Sequence, residues 1–100
     1  MVSIENIIEQ VAEFYGVDSD DILNGNRRHI FSEPRHVAMY LCHEMLGMSK
    51  EAVAAHFGKN RTLASYAVKK VGDWVRNPRF NRKAAECVET IMWNNSIEKK

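Results

Sequence analysis

Apolar residues return every three or four positions along most of this chain, and the runs are punctuated by helix-capping residues, glycines and prolines. No stretch of strict apolar–polar alternation competes with that period, so the pattern constrains the chain to an all-α fold. Ser3 caps a first helix with Ile4, Ile7, Ile8, Val11 and Tyr15 on one side, and Gly16 closes it in a left-handed turn. A short second helix runs from about Ser19 to Asn24, bringing Ile22 and Leu23 inward before Gly25. Ser32 is the expected cap of a third, with Glu33 and Pro34 in its first turn and Val37, Ala38, Leu41, Met45 and Leu46 as its buried stripe. Ser49 caps a fourth through His56, and Asn60 caps a fifth from Arg61 to Arg76, before Pro78. A sixth, about Asn81 to Asn94, carries Ala84, Ala85, Val88, Ile91 and Met92 at helical spacing. About six helices around one core containing a helix-turn-helix, in a single domain spanning residues 1–100, is the expected architecture.

The fourth and fifth helices form the helix-turn-helix. Ala54 lies four residues before Gly58, an offset that suits two helices approaching closely and then turning sharply. On the fifth helix Ala64, Ala67, Val68, Val71 and Val75 cluster as the packed face, while Thr62, Ser65, Tyr66 and Lys69 project away, with Leu63 and Lys70 on the flank. Arg61 can donate to guanine O6 and N7, Thr62 and Ser65 can bond base edges or phosphates, and Leu63 can touch a thymine methyl. Lys69 and Lys70 suit phosphates, and Lys59 and Asn60 lie in the turn that delivers the helix. The plainer reading of the same face is a solvated helix with scattered charges and a half-buried Tyr66.

The net charge of +1 conceals a segregation. Residues 1–25 carry −6, residues 26–83 carry +8 and residues 84–100 carry −1. Basic charge gathered into one part of a near-neutral chain is the electrostatic footprint expected for a polyanion. The stretch Gly25 to Phe31 holds Arg27, Arg28 and His29 without a helical period and reads as a basic loop.

Taken in order, NIIEQVAEFYGV with DDIL, then RR and EPRHVAMYL, then FGKNRTLASYAVKKV make residues 4–92 resemble the C-terminal duplex-DNA-binding domain of the bacterial replication initiator DnaA. The resemblance implies a stand-alone homologue that places the fifth helix in the major groove. It further implies that Arg27, with Arg28 adjacent, enters a narrow minor groove, and that Arg35 at the opening of the third helix meets a phosphate, as does Lys50 by its position. Departures accompany it. The family's recognition helix usually starts Asp-His-Thr-Thr, whereas this chain reads Asn60-Arg61-Thr62-Leu63 after a turn one residue shorter, so the preferred bases are expected to differ. Glu33 stands where the family tends to have a basic residue. The initiator's glycine-rich phosphate loop has no counterpart, so the chain is expected to act by occupying DNA or recruiting another protein rather than by unwinding an origin.

The remaining tempting residues read as structural. His36 and His43 are seven apart on the third helix without a third ligand, and Cys42 and Cys87 lack a partner for metal, disulfide or nucleophilic chemistry. Trp74 and Trp93 are expected to pack against helices. No apolar run reaches the roughly 20 residues needed to cross a bilayer, and the acidic N-terminus is unlike a signal peptide, so a cytoplasmic, nucleoid-associated protein is expected. The reading is of a non-enzyme without cofactor, metal, membrane or small-molecule substrate. Its partner is double-stranded DNA, with a replication or transcription protein as a further one, in replication control or transcription regulation. The rival is a protein-interaction adaptor that keeps the fold without DNA binding and docks through its acidic N-terminal face or sixth helix.

Overall fold

A computed structural model describes residues 2–23 and 29–98. Among these residues six α-helices follow in order: α1 (Ile4–Tyr15), α2 (Ser19–Leu23), α3 (Ser32–Leu46), α4 (Lys50–His56), α5 (Arg61–Arg76) and α6 (Arg82–Glu98). Short 3₁₀ turns at His29–Phe31 and Pro78–Phe80 lead into α3 and α6. Among the described residues there are no strands.

Local chemistry sets the helix ends. Ser3, Ser49 and Asn60 each accept a hydrogen bond from the backbone N–H three residues on, satisfying donors that a helix start leaves orphaned. Asn81 does the same for Ala84 and opens α6. The third helix departs from expectation: Ser32 is its first residue rather than its cap, because the 3₁₀ turn runs straight into it and Phe31 holds the flanking position with helical backbone angles. The end of the expected basic loop, from His29, is thus helical; Arg27 and Arg28 lie outside the described residues.

Helix α3 is the axis of the molecule and touches each of the other five helices. Val37, Ala38, Met39, Tyr40, Leu41 and Cys42 are all buried, so this helix is apolar all round over nearly two turns rather than along the expected stripe. Its expected inward residues Met45 and Leu46 are only half-buried, since the last turn emerges from the bundle. Around it, α1 contributes Ile7, Ile8 and Val11, α5 contributes Ala64, Ala67 and Val71, and α6 contributes Ala84, Cys87, Val88 and Ile91. On α5, Val68 and Val75 rim this core rather than enter it.

Two sequence expectations are corrected by packing. Trp93 is 65% exposed, because it lies two residues beyond Ile91, about 200° around the helix from the face that α6 buries. Trp74 does pack against the core, half-buried, with the Lys70 ammonium 5.9 Å from its ring centre. The other correction concerns Arg35, which is 5% exposed. Its Nε donates to the Ile22 carbonyl at 2.8 Å and its Nη2 to the Asp21 carbonyl at 2.9 Å. It ties the C-terminal carbonyls of α2 to α3 instead of standing free on the surface for a phosphate.

Candidate nucleic-acid interface

The helix-turn-helix is built from small residues at the crossing and caps at both helix starts. Ala54 on α4 and Ala64 and Ala67 on α5 are buried, which lets the two backbones approach. Phe57 fills the angle between them at 1% exposure, and Gly58 turns the chain at φ +64°, a left-handed conformation that residues with a Cβ adopt at a cost. The Lys59 N–H then donates to the Ala54 carbonyl at 2.8 Å, closing α4. Asn60 follows in extended geometry and its Oδ1 accepts the Leu63 N–H at 2.9 Å. The start of α5 is therefore held from both sides of the turn.

The burial of α5 leaves one continuous row of its residues outward. Asn60, Arg61, Thr62, Tyr66, Lys69 and Lys70 are exposed, and Ser65 is half-buried between them. Leu63 is half-buried and packs against the core, so part of its side chain is committed before any thymine methyl could reach it. Tyr66 is 52% exposed and meets the His36 ring edge-on, with 5.6 Å between centroids. This contact ties the middle of the row to α3. Burial pulls the His36 pKa below its ordinary value, and the neighbouring Arg35 cation acts the same way against an opposing pull from Glu33, so the net shift favours the neutral imidazole. Lys50 and Lys59 are half-buried at the two ends of the α4 turn region.

The arrangement uses several of the basic residues elsewhere. Arg35 is buried, Lys83 lies 4.8 Å from the Tyr15 ring, and Arg76 pairs with Asp73. Glu33 accepts a hydrogen bond from the Tyr15 hydroxyl at 2.6 Å, which gives that departure from the family a structural use. One pairing escaped sequence reasoning. The Arg61 Nε lies 2.6 Å from the Glu51 Oε2, across the gap between the first turns of α4 and α5. The two residues are ten apart and belong to different helices, so no helical spacing links them; only the docking of α4 against α5 does. The neighbouring guanidinium, after Glu51's own backbone N–H, helps hold the Glu51 carboxyl below the usual carboxylate range.

No three His, Cys, Asp or Glu side chains converge as a metal site among the described residues. His43 Nδ1 sits 2.7 Å from the Met48 carbonyl. Both cysteines are buried, and burial raises each thiol to about 12.

Comparison with known proteins gives this geometry a family. The model of the bacterial DnaA protein helix-turn-helix matches residues 4–71, from the first residue of α1 into the buried face of α5. The chromosomal replication initiator protein DnaA of Lactococcus lactis subsp. cremoris is 34% identical over 77 residues, 76% of this chain and 17% of that protein. That of Magnetococcus marinus is 37% identical over 71 residues, 70% of this chain and 16% of its own length. That of Leptothrix cholodnii is 33% identical over 92 residues, 90% of this chain and 18% of its own. The chain thus corresponds to less than a fifth of each initiator. With its capped turn, its small-residue crossing and a match running from α1 to α5, the chain belongs to the bacterial DnaA helix-turn-helix family.

Proposed function

We propose that the protein binds double-stranded DNA sequence-selectively, with α5 in the major groove. The observation that carries this reading is the outward row Asn60, Arg61, Thr62, Ser65, Tyr66 and Lys69: α5 spends its apolar face on the core and presents polar side chains of base-reading chemistry beside a rigid turn. Arg61 reads guanine, Thr62 and Ser65 meet base edges or phosphates, and Lys50, Lys59, Lys69 and Lys70 contact phosphates. Arg27, with Arg28 beside it, enters the adjoining minor groove. Arg35 leaves the set of contacts, since its guanidinium is occupied by α2 carbonyls. The role is replication control by occupying DNA, without catalysis.

The test is selection from a random duplex pool, followed by affinity measurements at several salt concentrations. An enriched motif is expected, with a log–log salt slope of about −0.9 per phosphate contacted, hence about −3.6 from the four lysines alone. Binding that is absent or insensitive to salt overturns the reading. Within it, Arg61→Ala flattens sequence preference while Lys69→Ala weakens all duplexes alike. A second reading, the protein adaptor, draws on one observation: Trp93 stands exposed on α6 beside Glu86 and Glu89. Capture of a protein from nuclease-treated lysate that is lost in Trp93→Ala, with no duplex shift, favours it.

A further inference from the structure

We infer that Glu51 is a specificity-positioning residue, which aims the Arg61 guanidinium at a guanine by holding it from the side. The inference rests on the duplex-binding reading above and concerns a residue on α4, outside the recognition helix. A guanidinium has two usable edges: one formed by Nε and its nearer Nη, the other by the two Nη groups at the tip. The Glu51 carboxylate approaches Arg61 through Nε at 2.6 Å, on the first edge. The tip edge, whose two parallel N–H groups match guanine O6 and N7, is thereby left pointing away from the carboxylate.

The backbone around the pair is rigid enough for that aim to persist. Ser49 caps α4 two residues before Glu51 and Asn60 caps α5 one residue before Arg61. Phe57, Ala54 and Ala64 lock the two helices together underneath. The side chains themselves are 63% and 64% exposed, so in free solution the pair adds little to folding. Its consequence comes on docking, when water leaves the site and a long arginine would otherwise choose among base edges and nearby phosphates. A carboxylate here also repels phosphates, so Glu51 lowers affinity for every duplex while raising the preference for one base. Those two effects have opposite signs on the preferred sequence, while repulsion acts alone on the others, which separates positioning from mere charge.

The experiment compares affinities for the selected duplex, for the same duplex with the guanine opposite Arg61 replaced, and for a random duplex. The variants are Glu51→Ala, Glu51→Gln, Arg61→Ala and the Glu51→Ala/Arg61→Ala double variant, with Glu86→Gln on exposed α6 as a control for loss of one negative charge. Far-UV circular dichroism and thermal melting confirm folding. Glu51→Ala is expected to cut the guanine preference about tenfold, within the range of a bidentate base contact, while binding random duplex as tightly as the parent or more so. Glu51→Gln, which keeps an acceptor oxygen, retains part of the preference, and Glu51→Ala makes no further change to that preference once Arg61 is Ala. An unchanged guanine preference in Glu51→Ala, or an equal gain on all three duplexes, overturns the inference and leaves duplex binding standing. Failure of the parent protein to bind any duplex removes the duplex reading itself.

Discussion

Arg35 offers the sharpest test, because its position in sequence and its position in space predict different phenotypes. In the structure its guanidinium is buried and donates to the Ile22 and Asp21 carbonyls, which belong to the last turn of the five-residue α2. By donating to two carbonyls of that last turn, Arg35 tethers the C-terminal end of α2 to α3. Hydrogen bonds made by a charged group contribute about 1.5–3 kcal/mol each, so two give about 3–6 kcal/mol, from which the cost of burying the guanidinium is subtracted. Arg35→Ala is therefore expected to lower unfolding stability by about 3 kcal/mol. That is a large fraction of the 5–15 kcal/mol typical of a small domain, and shifts the melting temperature down by roughly 12 °C or more. Arg35→Lys keeps the charge but cannot reach two carbonyls with a planar fork, and is expected to lose nearly as much. The assay is urea unfolding followed by far-UV circular dichroism, paired with the salt dependence of duplex binding at a temperature where every variant is folded. Stability should fall in both variants while the salt slope stays at the parent value. A parent-like urea midpoint for Arg35→Ala, with a slope shallower by about 0.9, would mean that the side chain faces a phosphate and would refute this assignment.

Three further outcomes follow from particular contacts. Asn60→Ala removes the acceptor for the Leu63 N–H and should cost about 1 kcal/mol of stability by urea titration, with Asn60→Gly costing less. Gly72→Ala should stabilise by roughly 0.5–1 kcal/mol: Gly72 is inside α5, and an added Cβ would sit 3.6 Å from Tyr40 Cε1, an ordinary contact. Cys42 and Cys87 ionise near 9 when unfolded but near 12 when folded. The unfolded chain therefore releases protons first, and stability falls as pH rises from about 9 toward 12. A lower urea midpoint at pH 9 than at pH 8, with the difference shrinking when both cysteines are Ala, is the expected result.

Much of the fold could be read without coordinates because its determinants are local. A serine or asparagine cap acts on the N–H three residues away, and the 3.6-residue period acts within one helix. Ser3, Ser49, Asn60 and the whole extent of α5 therefore follow from short stretches of chain. The outward row of α5 was legible for the same reason, since its packed face leaves only one direction for Arg61, Thr62, Tyr66 and Lys69. Where the reading failed, the cause lay at long range. Met39 and Tyr40 are buried because α3 is surrounded by the five other helices, a fact that no pattern within α3 encodes. Arg35 looks like a surface cation in a basic segment until α2 folds back against it.

The amino-acid sequence by itself determined that this chain forms a series of helices, most of them capped and amphipathic, with a turn at Gly58 and a helix from Arg61. Periodicity and capping free energies operate over a few residues and need no knowledge of what lies opposite. Only the tertiary structure decided which charges are available. Packing α2 on α3 buried Arg35, the orientation of α6 exposed Trp93, and the docking of α4 on α5 set Glu51 beside Arg61. An ionic or exposed state belongs to a neighbourhood assembled from distant segments, and it exists only once those segments have met.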